Sequence, residues 1–214
     1  MYTENTACSI VCLGARYLSP ESLPLHRIHM GQLIERELRE AINDNIFIFR
    51  LGMNMGADIW AAERILKLRD TQFPHIELHC HLPCETQANH WPEHWRELYF
   101  DCLASADQVF FLQNHYSKDC KPRRTREMIA GSARLIALYD NIAEGSVDRA
   151  VSYAEAYGIS VHMVQPLEGP PVRVDPRGRI LTLGARQVLS TDQKSSAYST
   201  MFSMGKSANM RACW

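Results

Sequence analysis

Several features that would assign this chain to a membrane, secreted or nucleic-acid-binding class are missing from its 214 residues. No apolar segment approaches the roughly 20 residues needed to cross a bilayer. The first residues, MYTENTACSIVCLG, lack the basic start and the long apolar stretch of a signal peptide. Positive charge is not in excess, because 23 Lys and Arg face 24 Asp and Glu, so no global field attracts nucleic acid or an anionic membrane. We expect a cytoplasmic protein with no membrane partner.

A disulfide framework is not expected either, because the chain has seven cysteines, an odd number. Cys8, Cys12, Cys80 and Cys102 lie in or beside apolar runs, where reduced cysteine serves as a small core residue. Cys120 lies beside a basic run, which favours thiol reactivity, but no spacing pairs it with a histidine as nucleophile and base. The sequence has no nucleophile elbow and no Walker-type P-loop. We assign no catalytic thiol and no required cofactor.

What the sequence does contain is an alternation of strand-like and helix-like segments. Apolar runs typical of buried strands occupy residues 9–13, 46–51, 75–82, 108–113, 135–139 and 159–164. Helical spacing of apolar residues marks segments 30–42, 59–66, 91–103 and 147–157. The alternation predicts an α/β fold whose mostly parallel sheet is flanked by helices on both faces. In such a sheet the ligand crevice lies at the carboxyl ends of the strands.

The chain changes character after Gln165. The stretch PLEGPPVRVDPRGRILTLG offers at most a hairpin around residues 175–178, and a serine-rich, weakly apolar end follows. We predict a core domain of residues 1–165 and an irregular C-terminal tail of residues 166–214, a hairpin followed by a flexible end. Met201, Met204 and Met210 in this tail suit an adaptable protein-binding surface, whereas a disordered tail is the simpler explanation.

The stretch IFIFRLGMNMGADIWAAERILKL changes from a strand pattern to a helix pattern at two glycines, Gly52 and Gly56. Glycines let the backbone approach a ligand closely, and the first N–H groups of the following helix attract phosphate. Asp58 and Glu63 follow in the helix and are candidates for the same site. Glycines also occur in turns for steric reasons alone, so both interpretations stay open on these residues.

Three further segments carry residues suited to a phosphorylated ligand. The first strand ends in LGAR, with Gly14 and Arg16, and the fifth is followed by YDNIAEGSVDRA, where Gly145 and Ser146 precede a helix. The segment CKPRRTREM puts four basic residues at the start of a helix, where they oppose the helix dipole: Lys121, Arg123, Arg124 and Arg126. A bound anion would relieve this conflict, and a solvated basic face is the alternative.

The segment HIELHCHLPC has the alternation of a strand and three histidines on one face: His75, His79 and His81. The same alternation puts Cys80 on the other face, so a closed zinc site would need ligands from elsewhere. A half-exposed strand face explains the histidines, and we predict no metal site. The tryptophans of HWPEHW are interpreted as packing residues on one helix face.

Four segments together resemble the YpsA-like branch of the SLOG superfamily, in matching order and spacing over residues 10–164: GMNMGADIWAAERIL, LPCETQANHWPEHWRELY, RRTREM and LIALYDNIAEGSVDRAVSYA. The resemblance implies a Rossmann-like three-layer fold and a nucleotide or nucleotide-derived ligand at the strand ends named above. The superfamily also includes the DNA-processing protein A group and the Lonely Guy phosphoribohydrolases. The YpsA-like proteins offer no settled biochemical activity to transfer.

The enzymes of that superfamily carry an R-K-x-x-M motif and a later P-G-G-x-G-T-x-x-E motif, whose arginine and final glutamate serve cleavage of an N-glycosidic bond. Here RTREM supplies Arg124 and Met128 at matching spacing. Arg149 stands where the glutamate belongs, and Asp148 precedes it by one residue. Glu144, before the glycine of this segment, is a further substitute. The resemblance therefore names Arg124 and Asp148 as candidate catalytic residues and leaves the catalytic set unknown.

The combined prediction is binding of a nucleotide or nucleotide-derived phosphorylated ligand at the strand carboxyl ends, as in a sensor. One alternative is a nucleoside-monophosphate phosphoribohydrolase, against which the arginine at position 149 argues because cleavage needs a carboxylate there. A second alternative is a protein-interaction adaptor, with a homo-oligomer or a protein partner left open. A nucleic-acid role is the least supported, since the basic residues cluster only at residues 121–126.

Overall fold

The computed structural model describes residues 7–11, 23–138, 145–164, 172–174 and 180–182. Helices and strands alternate along the main part of the chain: β1 (Ala7–Val11), α1 (Leu23–Asn43), β2 (Ile48–Leu51), α2 (Ala57–Thr71), β3 (Glu77–Leu82), α3 (Glu93–Ser105), β4 (Gln108–Phe111), α4 (Cys120–Ala130), β5 (Arg134–Leu138), α5 (Ser146–Ala156) and β6 (Ser160–Val164). Two short strands follow, β7 (Val172–Val174) and β8 (Ile180–Thr182), which pair with each other in antiparallel fashion. The division of the chain near residue 165 stays a prediction.

The first six strands form one sheet in the order β4-β3-β2-β1-β5-β6, and every neighbouring pair is parallel. The chain moves outward from β1 to β4 and then crosses to β5 on the other side of β1. The winding direction therefore reverses between β1 and β5, and a ligand crevice is expected at the carboxyl ends of the strands near this point.

Two apolar clusters cover the two faces of the sheet. The larger joins α1, α2 and α3 to inward-facing residues of the strands, among them Phe49, Leu51 and Cys80. The smaller joins α4 and α5 to the opposite face of β5, through Leu135 and Ala137. Helices on both faces of a parallel sheet make a Rossmann-like three-layer α/β fold, as predicted from the sequence.

The predicted strands and helices are confirmed, with shifts of a few residues at their ends. β3 begins at Glu77 because the Ile76 N–H donates to the Phe73 carbonyl at 3.1 Å and so belongs to the preceding turn. The Glu77 N–H donates instead to the carbonyl of Phe47, the residue just before β2, and so starts the pairing of β3 with β2. α3 begins after Pro92, a residue that suits a helix start because it has no N–H to satisfy. In the part of the chain that the structure describes, no helix combines the length and apolar character required to cross a membrane.

Two buried serines reinforce the contact of β1 with the β5 side of the fold. The Ser9 hydroxyl donates to the Met128 carbonyl at 2.9 Å, and its oxygen lies 2.7 Å from the Ser132 hydroxyl oxygen. Ser9 is fully buried and Ser132 is 8% exposed. A hydroxyl buried without such partners would cost stability, so this pair fixes the end of α4 against the central strand.

The buried cysteines provide a first test of the packing. Burial raises the pKa of Cys8, Cys80 and Cys102 to about 12 in each case, because the thiolate would lose its hydration. We expect iodoacetamide at pH 8 to leave these three thiols unmodified in the folded protein and to modify them in urea, as peptide mass spectrometry can measure. Rapid labelling of Cys80 in the folded protein would contradict the packing of β3 against α3.

Candidate functional site

The turn between β2 and α2 has a backbone that few residues can adopt. Met53 has φ 52° and Gly56 has φ 107°, a value that favours glycine because it has no Cβ. The Gln87 amide supports the turn from the β3–α3 loop, since its Nε2 donates to the Met53 carbonyl and, at 3.4 Å, to the Gly52 carbonyl. The turn is therefore held in a fixed shape at the carboxyl end of the sheet.

Asp58, in the first turn of α2, is the acidic group of this region. Its side chain is 1% exposed, and Oδ2 accepts hydrogen bonds from the backbone N–H and the side-chain amide of Asn54, both at 2.8 Å. A carboxylate is stabilised at a helix N-terminus by the helix dipole. Asp58 therefore closes the Gly52–Gly56 turn onto the start of α2 and supplies a buried negative charge.

Arg124, one turn into α4, reaches across to this turn. A Cβ built on Gly52 would lie 1.7 Å from Arg124 Nη1 and 2.3 Å from Cζ, so the guanidinium fills the space that any side chain at position 52 would need. Arg124 Nη1 donates to the His81 carbonyl at 3.0 Å. Gly52 and Arg124, which are 72 positions apart in the sequence, thus form one unit at the ends of β2 and β3.

The Arg124 guanidinium is buried, with 4% of the residue exposed. Burial lowers its pKa from the usual value, and the Asp58 carboxylate acts in the opposite direction. Arginine nevertheless stays charged in proteins. Its Nε has no hydrogen-bond partner among the residues that the structure describes. The alternative of a solvated basic face fits the exposed Arg123 and Lys121, and it is wrong for Arg124.

His81 lies beside this guanidinium and is kept neutral by its surroundings. Its ring stacks on Phe110 of β4, with ring centroids 4.8 Å apart and planes at 30°. Burial, with the positive charges of Arg50 and Arg124 and the neighbouring His79, lowers the pKa of His81 to about 4. At neutral pH the imidazole is uncharged, so the positive charge around it comes from the Arg50 and Arg124 guanidinium groups.

The N-terminus of α5 is the second helix start near the reversal of the sheet. Gly145 caps the helix with an extended backbone, and Ser146 begins it as an exposed residue. Asp148 lies in the first turn, and the exposed Arg149 follows it. Three residues named from the sequence for neighbouring strand ends lie outside the described residues: Gly14, Arg16 and Glu144.

Sequence comparison places this chain in a family. The YpsA model, described as "YspA SLOG family", matches residues 26–166, a stretch that begins within α1 and ends just after β6. The chain belongs to the YpsA family of SLOG proteins. The match includes the Gly52 turn, Asp58, Arg124 and the start of α5, whereas Gly14 and Arg16 precede it.

Several curated bacterial proteins are similar to this YpsA-family chain. A UPF0398 protein of Halalkalibacterium halodurans is 30% identical over 120 residues, which cover 55% of this chain and 63% of the relative. One from Bacillus pumilus is 29% identical over 126 residues (58% and 67%), and one from Shouchella clausii is 27% identical over 142 residues (65% and 76%). The first match spans less than two thirds of its relative, and none of these names states a ligand or an activity.

Two residues that the sequence suggested for the site of this YpsA-family protein lie on other surfaces. Glu63 forms an ion pair with Arg27 at 2.6 Å and lines a cavity of about 190 Å³ that Arg27 and Trp60 also line. The Arg126 guanidinium lies 5.4 Å from the Tyr153 ring centroid, in a cation–π contact between α4 and α5. The structure therefore brings together Gly52, Asp58 and Arg124, and it puts Glu63 and Arg126 in different contacts.

The histidines of β3 have partners other than a metal. His79 is 8% exposed, and its Nε2 lies 2.8 Å from a Glu77 carboxylate oxygen. Within the described ranges, the one cluster of potential metal ligands is Glu37, Glu40 and His162, which is remote in sequence from β3. The sequence predicted a half-exposed strand face for the three histidines. Their exposure differs from one to the next, since His75 is exposed, His81 is intermediate and His79 is buried.

Sequence reasoning missed the contributions of Gln87 and Phe110 to the YpsA site. Gln87 belongs to the LPCETQANHW segment that carried part of the family resemblance, and no chemistry was assigned to it. Phe110 was predicted only as part of the strand at residues 108–113. The signal that could have found Phe110 is strand register, because His81 and Phe110 are paired neighbours on β3 and β4.

Proposed function

We propose that this YpsA-family protein binds a nucleotide or another nucleotide-derived phosphorylated ligand at the carboxyl ends of β2 and β3. The observation that carries the proposal is the buried Arg124 guanidinium seated on Gly52, with its Nε lacking a partner among the described residues. A buried cation with spare donor capacity is costly unless an anion or another acceptor completes its bonding. Phosphate is one of the two anions, with carboxylate, whose geometry matches a planar guanidinium.

The surrounding backbone supports a phosphate at the same place. The strained turn from Met53 to Gly56 leads directly into α2, whose first N–H groups have no carbonyl partners within the helix. Partial positive charge at a helix N-terminus adds to the guanidinium charge. Asp58 offsets part of this charge, because its carboxylate acts on the Arg124 guanidinium.

Binding without rapid turnover is the behaviour we propose, in keeping with a sensor in the cytoplasm. The superfamily's cleavage chemistry needs a carboxylate where this chain has Arg149, whose charge has the wrong sign. The five cysteines in the described residues are free thiols, which suits a reducing compartment. No cofactor is part of the proposal.

The direct test is calorimetry with nucleoside phosphates, NAD and ADP-ribose on the full chain and on two variants. Arg124→Ala is expected to weaken the best ligand by at least about ten-fold, since hydrogen bonds to charged groups contribute roughly 1.5–3 kcal/mol. Arg123→Ala removes the same charge one residue away, at an exposed position of the same helix. This control is expected to change affinity by less than about two-fold.

A folding control and an activity assay complete the test. Arg124→Lys keeps the positive charge and loses the planar set of N–H donors that the guanidinium provides. If this variant is folded and binds the ligand more weakly, the loss of affinity comes from ligand recognition and not from loss of stability. Failure of every ligand to bind below roughly millimolar would contradict the proposal. Release of free base from AMP at about one turnover per second, lost in Arg124→Ala or Asp148→Asn, would show instead a phosphoribohydrolase.

A further inference from the structure

A row of planar groups extends from Arg124 to the edge of the sheet. β2 and β3 pair Leu51 with Cys80, so the next positions, Gly52 and His81, are neighbours, and His81 in turn pairs with Phe110. Side chains at these three positions face the same side of the sheet because side chains alternate along each strand. The order across the strands is therefore the guanidinium on Gly52, the His81 ring and the Phe110 ring.

The Phe110 ring stacks on another ring, while the residue is partly exposed to solvent. His81 covers the inner face, and His79 meets the ring at 6.0 Å in an edge-on arrangement. β4 is one of the two edge strands of the six-stranded sheet that the structure describes, and 43% of Phe110 is exposed. A half-exposed aromatic ring braced by a second ring is a rigid stacking surface.

We propose that the open face of Phe110 stacks the base of the bound ligand, while the ligand's terminal phosphate lies at the guanidinium on Gly52. The inference rests on the proposed function, because it assumes phosphate binding at the Gly52 turn. Base–aromatic stacking contributes substantially to nucleotide binding and accepts any base, since every base has a π face. His81 is a positioning residue, because its ring stacks on the Phe110 ring and so fixes the orientation of that ring.

The spacing of the strands selects the class of ligand. Neighbouring strands lie about 4.8 Å apart, so Gly52 and Phe110 are separated by about 10 Å, and the open ring face lies farther out. A single phosphate attached to the ribose that carries the base is too close to the base to occupy both places. A nucleoside di- or triphosphate has the required length, so this site is assigned to that class.

Neighbouring phenylalanines of β4 provide a matched pair for the test. Phe111 is 50% exposed, follows Phe110 directly and pairs with Leu82 on the opposite face of the sheet. Calorimetry with ATP is expected to show about ten-fold weaker binding for Phe110→Ala and no change for Phe111→Ala. Phe110→Trp is expected to restore the affinity. Tripolyphosphate, which has no base, is expected to bind the wild type and Phe110→Ala equally.

Each alternative outcome of the calorimetry would contradict one part of the proposed binding mode. Equal weakening by the two alanine variants, or weaker tripolyphosphate binding in Phe110→Ala, would overturn the stacking surface and leave phosphate binding in place. AMP binding as tightly as ATP would overturn the ligand class. Absence of binding by ATP and tripolyphosphate to the wild type would reject the proposed function, and the stacking surface with it.

Discussion

Alanine at position 52 is expected to destabilise the protein by about 2 kcal/mol, and to cost almost nothing when Arg124 is also alanine. The reason is steric, since the added Cβ would lie 1.7 Å from the Arg124 guanidinium and must displace it from a buried place. The displaced guanidinium also loses its bond to the His81 carbonyl. Gly52 does not have a positive φ, so its backbone accepts alanine. Once Arg124 is removed, the Cβ has free space.

The measurement is urea unfolding of the wild type, the two single variants and the double variant. We expect a coupling free energy of about 2 kcal/mol between the two positions. Gly158→Ala is the matched control: this glycine has φ 69° and no atom within 4 Å of a built Cβ, so its cost comes from the backbone alone. That cost should be the same with and without Arg124. Strict additivity of Gly52→Ala and Arg124→Ala would show that the two residues do not share the site.

Acidification is expected to weaken the fold through His81 by roughly 2 to 3 kcal/mol between pH 7.5 and pH 4.5. The unfolded chain binds a proton at the ordinary histidine pKa of 6.5, whereas the buried ring in the folded protein binds one only near pKa 4. Between these values the unfolded state holds more protons. Stability from this residue is therefore complete above pH 6.5 and is lost as the pH falls toward 4.

Replacement of His81 by phenylalanine isolates this contribution from that of the carboxylates. Phenylalanine keeps a ring against Phe110 and cannot be protonated. Urea unfolding at both pH values should show that the pH dependence of the free energy of unfolding is smaller by roughly 2 to 3 kcal/mol in His81→Phe than in the wild type. An unchanged pH dependence would mean that His81 takes up its proton in the folded protein as readily as in the unfolded one.

Local patterns were sufficient to predict the elements of the fold. Each parallel strand is a short apolar run and each helix shows helical spacing, so the period of the pattern reports the element directly. The order of the strands is a different matter, because β1 pairs with β2 and with β5 through contacts that no local pattern encodes. The start of β3 depends on such a contact too, since the Glu77 N–H donates to the Phe47 carbonyl.

The candidate site was predictable in part. Gly52 and Asp58 follow from the strand-to-helix turn, but the basic run gave Arg124 the same weight as its exposed neighbours. Spacing could have separated them, since Cys120, Arg124 and Met128 recur every four residues and are the buried positions of α4, with Ile129. The meeting of the guanidinium with Gly52 could not be predicted, because it depends on how α4 packs across two strands.

The central position of β1 has a consequence for the nascent chain. The residues on the β5 side of β1 are synthesised much later than β1 itself, since Ser132, the partner of Ser9, lies 123 residues further along the chain. At typical elongation rates this interval lasts on the order of 10 s. Throughout it one edge of the strand at the middle of the finished sheet is unpaired and open to other chains. The pairing of β1 is therefore complete only after β5 has been synthesised.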